Sequence, residues 1–135
     1  MTISDMPGIV LTMKFTLEAS SSVNLIRAYS ANELRVGEQS LRASCIVTAE
    51  RVISDWEPAC LADLTVAHLE RLFALRPEVI LLGTGLRQSF PPAPIRAACA
   101  AQNIGLEAMD LGAACRTFNI LVQEDRRVAA ALFFS

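Results

Sequence analysis

Pro77-Glu78-Val79-Ile80-Leu81-Leu82-Gly83-Thr84-Gly85 is an apolar run that stops on two glycines flanking a threonine. Four consecutive large aliphatic residues closed by Gly-Thr-Gly predict a buried strand that empties into a tight loop, where backbone can approach another group closely. Upstream, Val66, Leu69, Leu72 and Phe73 recur at three- and four-residue spacing behind Thr65, which predicts a helix capped by Thr65 and stopped by Pro77. Downstream, Leu86 to Phe90 reads as loop, and Pro91-Pro92 open a second helix that buries Ile95, Ala98 and Cys99 and ends at Asn103, before Gly105.

A short strand is expected from Leu106 to Met109. Asp110 then caps a third helix whose inner stripe is Ala114, Phe118, Leu121 and Val122, and Val128 to Phe134 forms a last apolar strand.

The first third of the chain reads differently. Residues 1–14 lack a sustained period and are expected to form a loosely attached arm, with Phe15 to Glu18 as a short extended piece before Ser20-Ser21-Ser22. Val23, Leu25, Arg27 and Tyr29 then share one side of an extended segment, and Leu34 and Val36 one side of the next, with Ser30-Ala31-Asn32 as the turn. Gly37 ends that second strand. Leu41 to Thr48 reads as a third strand, and Arg51 to Trp56 as a further extended segment.

Strands first, then strictly alternating helices and strands, make this an α/β chain. The expectation is a single compact domain over residues 15–135, with a mixed β-sheet: antiparallel strands at the N-terminal side, then alternating elements whose helices pack on the sheet.

Composition narrows the function classes. Of the 135 residues, 53% are hydrophobic and 19% charged, which excludes disorder and leaves room for a buried surface between copies of the chain, so a homo-oligomer is possible. A formal net charge of -2 provides no general attraction to phosphate backbones, so no nucleic acid partner is expected. Arg126-Arg127, at the end of a helix, reads as a solvated cap.

Cys45, Cys60, Cys99 and Cys115 are far apart, with no Cys-x-x-Cys pair and a single histidine, so no metal site is supported. His68, beside the apolar stripe of the first helix, reads as structural, and the lone Trp56 as a packing residue. The opening residues do not resemble a secretory signal, and no apolar stretch reaches the roughly 18 residues a membrane helix needs. A soluble, cytoplasmic protein with reduced thiols and no membrane insertion is expected.

In open α/β sheets, ligands gather at the carboxyl ends of parallel strands. Two such ends are readable here: Gly83-Thr84-Gly85, and Asp110-Leu111-Gly112 at the start of the third helix. If their strands are parallel neighbours, the two loops share a rim, with free helix N–H groups directed towards it. Such a rim suits a small anion, with Thr84 or Ser89 as hydroxyl donors and Arg42, Arg87 or Arg116 as countercharge.

Equally, the glycines can serve only a tight turn over the sheet edge. Gly-Thr-Gly lacks the third glycine of a dinucleotide fingerprint, and no phosphate-binding Gly-Lys-Ser/Thr loop occurs, so no cofactor is expected. Cys115, in the first turns of the third helix, reads as a nucleophile favoured by the helix dipole or as a small core residue, and lacks a base partner. Arg116 and Asn119 suit a polar network or an interface better than acid-base chemistry, and the scattered carboxylates make no catalytic pair.

Pro77 to Gly85, followed by Glu107-Ala108-Met109-Asp110 and Ala113-Ala114-Cys115-Arg116-Thr117-Phe118-Asn119-Ile120-Leu121, closely resembles a family of small domains of unknown function. That family includes the mitochondrial respiratory complex I assembly factor 3 and a human adipogenesis-associated protein. The resemblance runs from about Val23 through Phe134 and includes Arg126-Arg127-Val128-Ala129-Ala130-Ala131-Leu132. It implies a compact α/β fold with a mixed sheet and a groove near the glycine loop. Leu111 stands where threonine is expected and Phe118 where tyrosine is usual, which removes two hydroxyls near that rim.

Together these readings favour a domain without catalytic activity that works through contacts with an unidentified protein partner, in assembly of a respiratory or other membrane-associated complex. The alternative is a binder or enzyme for a small anionic metabolite in a groove formed by Gly83, Thr84, Gly85, Asp110, Cys115, Arg116 and Arg42.

Overall fold

A computed structural model describes residues 23–134. The expected arm over residues 1–14 and the extended piece at Phe15 to Glu18 lie outside the described residues. The elements are β1 (Ile26–Tyr29), β2 (Leu34–Val36), β3 (Gln39–Leu41), β4 (Cys45–Thr48), β5 (Val52–Ile53), a helical segment ending in the short α1 (Glu70–Phe73), β6 (Val79–Thr84), α2 (Ala93–Ala101), β7 (Gly105–Met109), α3 (Leu111–Gln123) and β8 (Val128–Phe133).

The chain is a single α/β domain with two sheets. β1, β2 and β3 form a three-stranded antiparallel sheet, and the five-stranded sheet has the order β5-β4-β8-β6-β7. β6 is parallel to both β7 and β8, whereas β4 runs antiparallel to β8 and to β5. The last strand of the sequence therefore lies in the middle of the sheet. Val128-Ala129-Ala130-Ala131-Leu132-Phe133 is buried along its whole length, as an apolar strand covered on both faces must be.

Strand alternation sorts the core into two halves. Leu81, Ala130 and Leu132 face α3 and the small sheet, meeting Ala114, Phe118 and Val122 together with Ile26, Leu34 and Val36. Ile80, Leu82, Ala131 and Phe133 face the other way, towards α2 and the helical segment, meeting Ile95, Cys99, Leu69 and Leu72. Trp56 belongs to this second half: its ring lies 5.4 Å from that of Phe133, and its Nε1–H donates to the His68 carbonyl at 3.2 Å.

Two expectations for the N-terminal strands need correction. Leu41 to Thr48 is not one strand. Leu41 pairs with Leu34 in the small sheet and Cys45 with Leu132 in the large one, so the chain changes sheets at Arg42-Ala43-Ser44. Gly37, at φ 57°, ends the second strand as expected, and it also turns the chain through a two-residue hairpin, with Val36 opposite Gln39. In β1, a register shift between Ile26 and Ala28 moves the buried position to Ile26 and leaves Tyr29 43% exposed, against the simple alternation expected of Val23, Leu25, Arg27 and Tyr29.

The helix expected after Thr65 is a 3-10 turn over Val66–Leu69 that runs into a single α turn. His68 helps to start it. Its Nδ1 accepts the Thr65 backbone N–H at 3.0 Å, which satisfies a donor the helix start leaves free. Arg126, expected as a solvated cap, pairs with Glu78 at 3.0 Å.

Candidate functional site

Because β6 and β7 are parallel neighbours, with Gly83 beside Met109, the condition for a shared rim is met by the Gly83-Thr84-Gly85 loop and the Asp110 cap. Each group at that rim has an identifiable internal task. Gly83 is a contact point: a Cβ added there would lie 2.9 Å from Leu132 Cδ2 and 3.1 Å from Ala114 Cβ, so its bare backbone lets α3 sit close to the sheet. Gly85 has φ 88°, a conformation that favours glycine, and its carbonyl accepts the Leu111 N–H at 2.7 Å.

Thr84 is 6% exposed and the proton of its hydroxyl is committed within the fold. Oγ1 donates to the Arg87 carbonyl at 2.6 Å, lies 3.2 Å from the Met109 carbonyl, and accepts the Ser89 N–H at 3.0 Å. A hydroxyl has one proton and two lone pairs, so the two carbonyls share its only proton, which is not free for a ligand, and the Ser89 N–H takes one of the lone pairs. Thr84 therefore folds the following loop back on the end of its own strand. The Gln88 Nε2 bond to the Ala108 carbonyl, at 3.0 Å, ties the same loop to β7.

The start of α3 is closed in the same manner. Asp110 Oδ1 accepts the Ala113 N–H at 2.8 Å, making Asp110 the predicted N-cap, and the Gly85 carbonyl takes the Leu111 N–H. Two of the N–H groups that an anion would need are thus already paired. Over Gly112 lies the ring of Tyr29: a Cβ added to Gly112 would fall 2.9 Å from Tyr29 Cε1. Arg116 Nη1 donates to the Tyr29 hydroxyl at 2.6 Å. What remains open is a shallow depression of about 310 Å³ between Tyr29, Gly85, Leu86, Asp110, Gly112 and Arg116.

The structure therefore brings Gly85, Asp110 and Arg116 together around this depression, whereas Gly83 and Thr84 do not line it. Arg42 does not line it. Its guanidinium pairs with Glu33 at 3.4 Å on the solvent side of the chain. Cys115 is on the core side of α3 and 1% exposed, and burial pushes its thiol up to about 12, with the neighbouring Cys45 adding to the shift against a smaller opposing effect of Arg116. Desolvation thus prevails over the helix dipole, and the side chain is a protonated thiol in the core.

Arg116 and Asn119 form the polar network anticipated for them. Asn119 Oδ1 accepts the Ile26 N–H at 2.8 Å while its Nδ2 donates to the Ile26 carbonyl at 2.9 Å, and Arg116 holds Tyr29 three residues along the same strand. Together they fasten the small sheet to α3. The place of Tyr29 at the site is not legible in the sequence, because its position over Gly112 joins segments more than 80 residues apart.

Another cavity lies elsewhere. About 380 Å³ opens at the opposite end of the parallel strands, bordered by Val23, Thr48, Arg51, Leu75, Asp125 and Arg127. Among the described residues, no group of three His, Cys, Asp or Glu side chains is placed to hold a metal ion. Nor is any helix there long and apolar enough to cross a membrane.

Comparison with known proteins agrees with the family resemblance read from the two motifs. Residues 26–133 match the family model described as protein of unknown function, DUF498/DUF598. A Francisella tularensis protein called 13 kDa major membrane protein is 31% identical over 103 residues, covering 73% of this chain and 80% of that one. The Danio rerio NADH dehydrogenase (ubiquinone) 1 alpha subcomplex assembly factor 3 is 30% identical over 115 residues, covering 84% of this chain and 66% of that one. This chain thus spans just under two thirds of the fish relative. A Xanthomonas campestris protein solved by NMR is 43% identical and superposes with a TM-score of 0.76, over 82% of this chain and 84% of that one.

Proposed function

The chain belongs to the DUF498/DUF598 family of proteins of unknown function, and from that premise we propose that it is a non-catalytic domain acting through protein contacts. Its task on this reading is the assembly of a respiratory or other membrane-associated complex, in keeping with the name of the Danio rerio relative. The cytoplasm is its compartment on the same reading, which the four free cysteines support.

The observation that carries the proposal is the open edge at β7. The opposite edge of the large sheet, β5, is only two residues long, whereas β7 has five residues and a strand neighbour on one side alone. Gly105 N–H donates inward to the Glu78 carbonyl, so by alternation Leu106 and Ala108 direct their N–H and C=O groups outward. The Gln88 bond to the Ala108 carbonyl covers one of them. The remaining groups offer main-chain hydrogen bonds to an added strand, a mode of recognition specific to polypeptide.

Ala108→Pro tests this directly, because it removes an outward N–H and leaves the bonds to β6 in place. In native electrophoresis of gently solubilised membranes, the unmodified chain should migrate within a large assembly and the Ala108→Pro chain alone, at an unchanged melting temperature. Identical migration of the two would refute the edge as the contact. A second copy of the chain can use the same edge, and light scattering on the purified protein separates that case.

The small-anion reading is favoured by Arg116, whose guanidinium Tyr29 steadies beside the depression. Its test is a thermal-shift screen of carboxylates, phosphates and nucleotides, repeated with Arg116→Ala. A shift lost in the variant supports an anion site; no shift with any ligand removes this reading.

A further inference from the structure

Leu86 and Phe90 are 74% and 77% exposed, more than any other large apolar side chain among the described residues. Their exposure is not that of a slack loop. Thr84 Oγ1 holds the Arg87 carbonyl and the Ser89 N–H, Gln88 reaches the Ala108 carbonyl, and Arg96 Nη1 donates to the Pro91 carbonyl at 2.8 Å. Four tethers thus fix a loop whose two largest apolar side chains face water, at a cost in solvation that the fold itself does not recover.

Three arginines cluster around this loop. Arg87 lies between the two apolar residues, Arg96 is bonded to the loop, and Arg116 borders the depression beside Leu86. Among the described residues, Arg42, Arg71 and Arg126 have carboxylate partners, in Glu33, Asp55 and Glu78, whereas none of these three arginines does. Asp110 is the one carboxylate bordering the depression, and its Oδ1 is occupied by the Ala113 N–H.

We infer that the Leu86–Phe90 loop docks the domain on the surface of an anionic lipid bilayer. Leu86 and Phe90 enter the boundary between headgroups and acyl chains, while Arg87, Arg96 and Arg116 meet lipid phosphates. A bilayer satisfies both chemistries at once, and bracing the loop in advance removes the entropy cost of ordering it there. With a formal net charge of -2 the whole molecule contributes no attraction, so the contact depends on this local trio and is reversible and salt-sensitive. This contact is independent of the sheet edge proposed above for protein partners.

Sedimentation of the full-length chain with vesicles of phosphatidylcholine, with and without phosphatidylglycerol, is the test. Binding is expected only to the vesicles containing phosphatidylglycerol, weakening about fivefold for each arginine replaced by glutamine. Leu86→Ser with Phe90→Ser should abolish it at an unchanged melting temperature, since both side chains are on the surface. Ala108→Pro should leave it intact, and inorganic phosphate should not compete. Absence of sedimentation with phosphatidylglycerol vesicles overturns the inference, as does binding that survives the double serine variant or the Arg87→Glu variant.

Discussion

Beneath the rim where β6 and β7 end, Cys45 and Cys115 lie in the dry core, and burial pushes both thiols up to about 12. At the other end of the same strands, Glu78 accepts hydrogen bonds from the Arg127 N–H and from Arg126, which hold its carboxyl below the ordinary value. One end is closed by packing and by internal caps, the other by charged groups in contact with water. The usual expectation for an open α/β sheet puts ligand chemistry at the first end, yet here the Leu111 and Ala113 N–H groups and the Thr84 proton are spent on the fold. Position in a topology marks where a site can be, and the hydrogen-bond partners decide whether the donors are free.

The two ends should respond oppositely to pH, and this is the largest effect expected. The folded chain keeps the thiol protons that the unfolded chain releases above about pH 9, so stability is full below that pH and falls as pH rises towards about 12. Urea unfolding across this range should show the loss, and Cys115→Ala should reduce its slope. A flat alkaline limb would mean that water reaches these thiols.

Next in size is Gly83→Val. A Cβ at this position would fall 2.9 Å from Leu132 Cδ2 and 3.1 Å from Ala114 Cβ, so Leu132 must shift and overpacking by the branched valine should cost about 2–3 kcal/mol in urea unfolding. An unchanged midpoint would break the contrast by showing a yielding wall at this end. Asp110→Ala should cost about 1 kcal/mol through loss of the cap on Ala113. Stability regained on adding phosphate to this variant would show that the same N–H can serve an external anion, sharpening the difference between an occupied donor and an absent one.

The smallest effect belongs to the wet end. Glu78, with its lowered carboxyl, contributes stability above the ordinary carboxylate range and loses it as pH falls through its folded value, below 4.5. Glu78→Gln should therefore flatten the acid limb of the stability curve and leave the alkaline limb alone. Equal changes in both limbs would undo the separation of the two ends.

Much of the second half of the chain was legible because its signals are local. The apolar run before Gly83, the caps at Thr65 and Asp110, and the inner stripe of Ala114, Phe118 and Val122 depend on neighbours within a few turns of chain. The first half was read less well. The short strands β1 to β5 offer only two to four residues of pattern, and the register shift after Ile26 breaks even that alternation. At the rim, residue types were read correctly while their commitments were not: nothing near Thr84 in sequence says that its hydroxyl lies 3.2 Å from the Met109 carbonyl, 25 residues on.

By itself the sequence determined the α/β class, the family, the strand that ends in Gly83-Thr84-Gly85 and the helix capped by Asp110, because periodicity, glycine and capping chemistry act over short stretches of chain. Tertiary structure alone decided that the final strand is central, that Tyr29 lies over Gly112, and that the rim's donors are paired within the fold. Those outcomes depend on segments distant in sequence meeting to bury apolar surface, and each polar group brought along must then find a partner or remain in water.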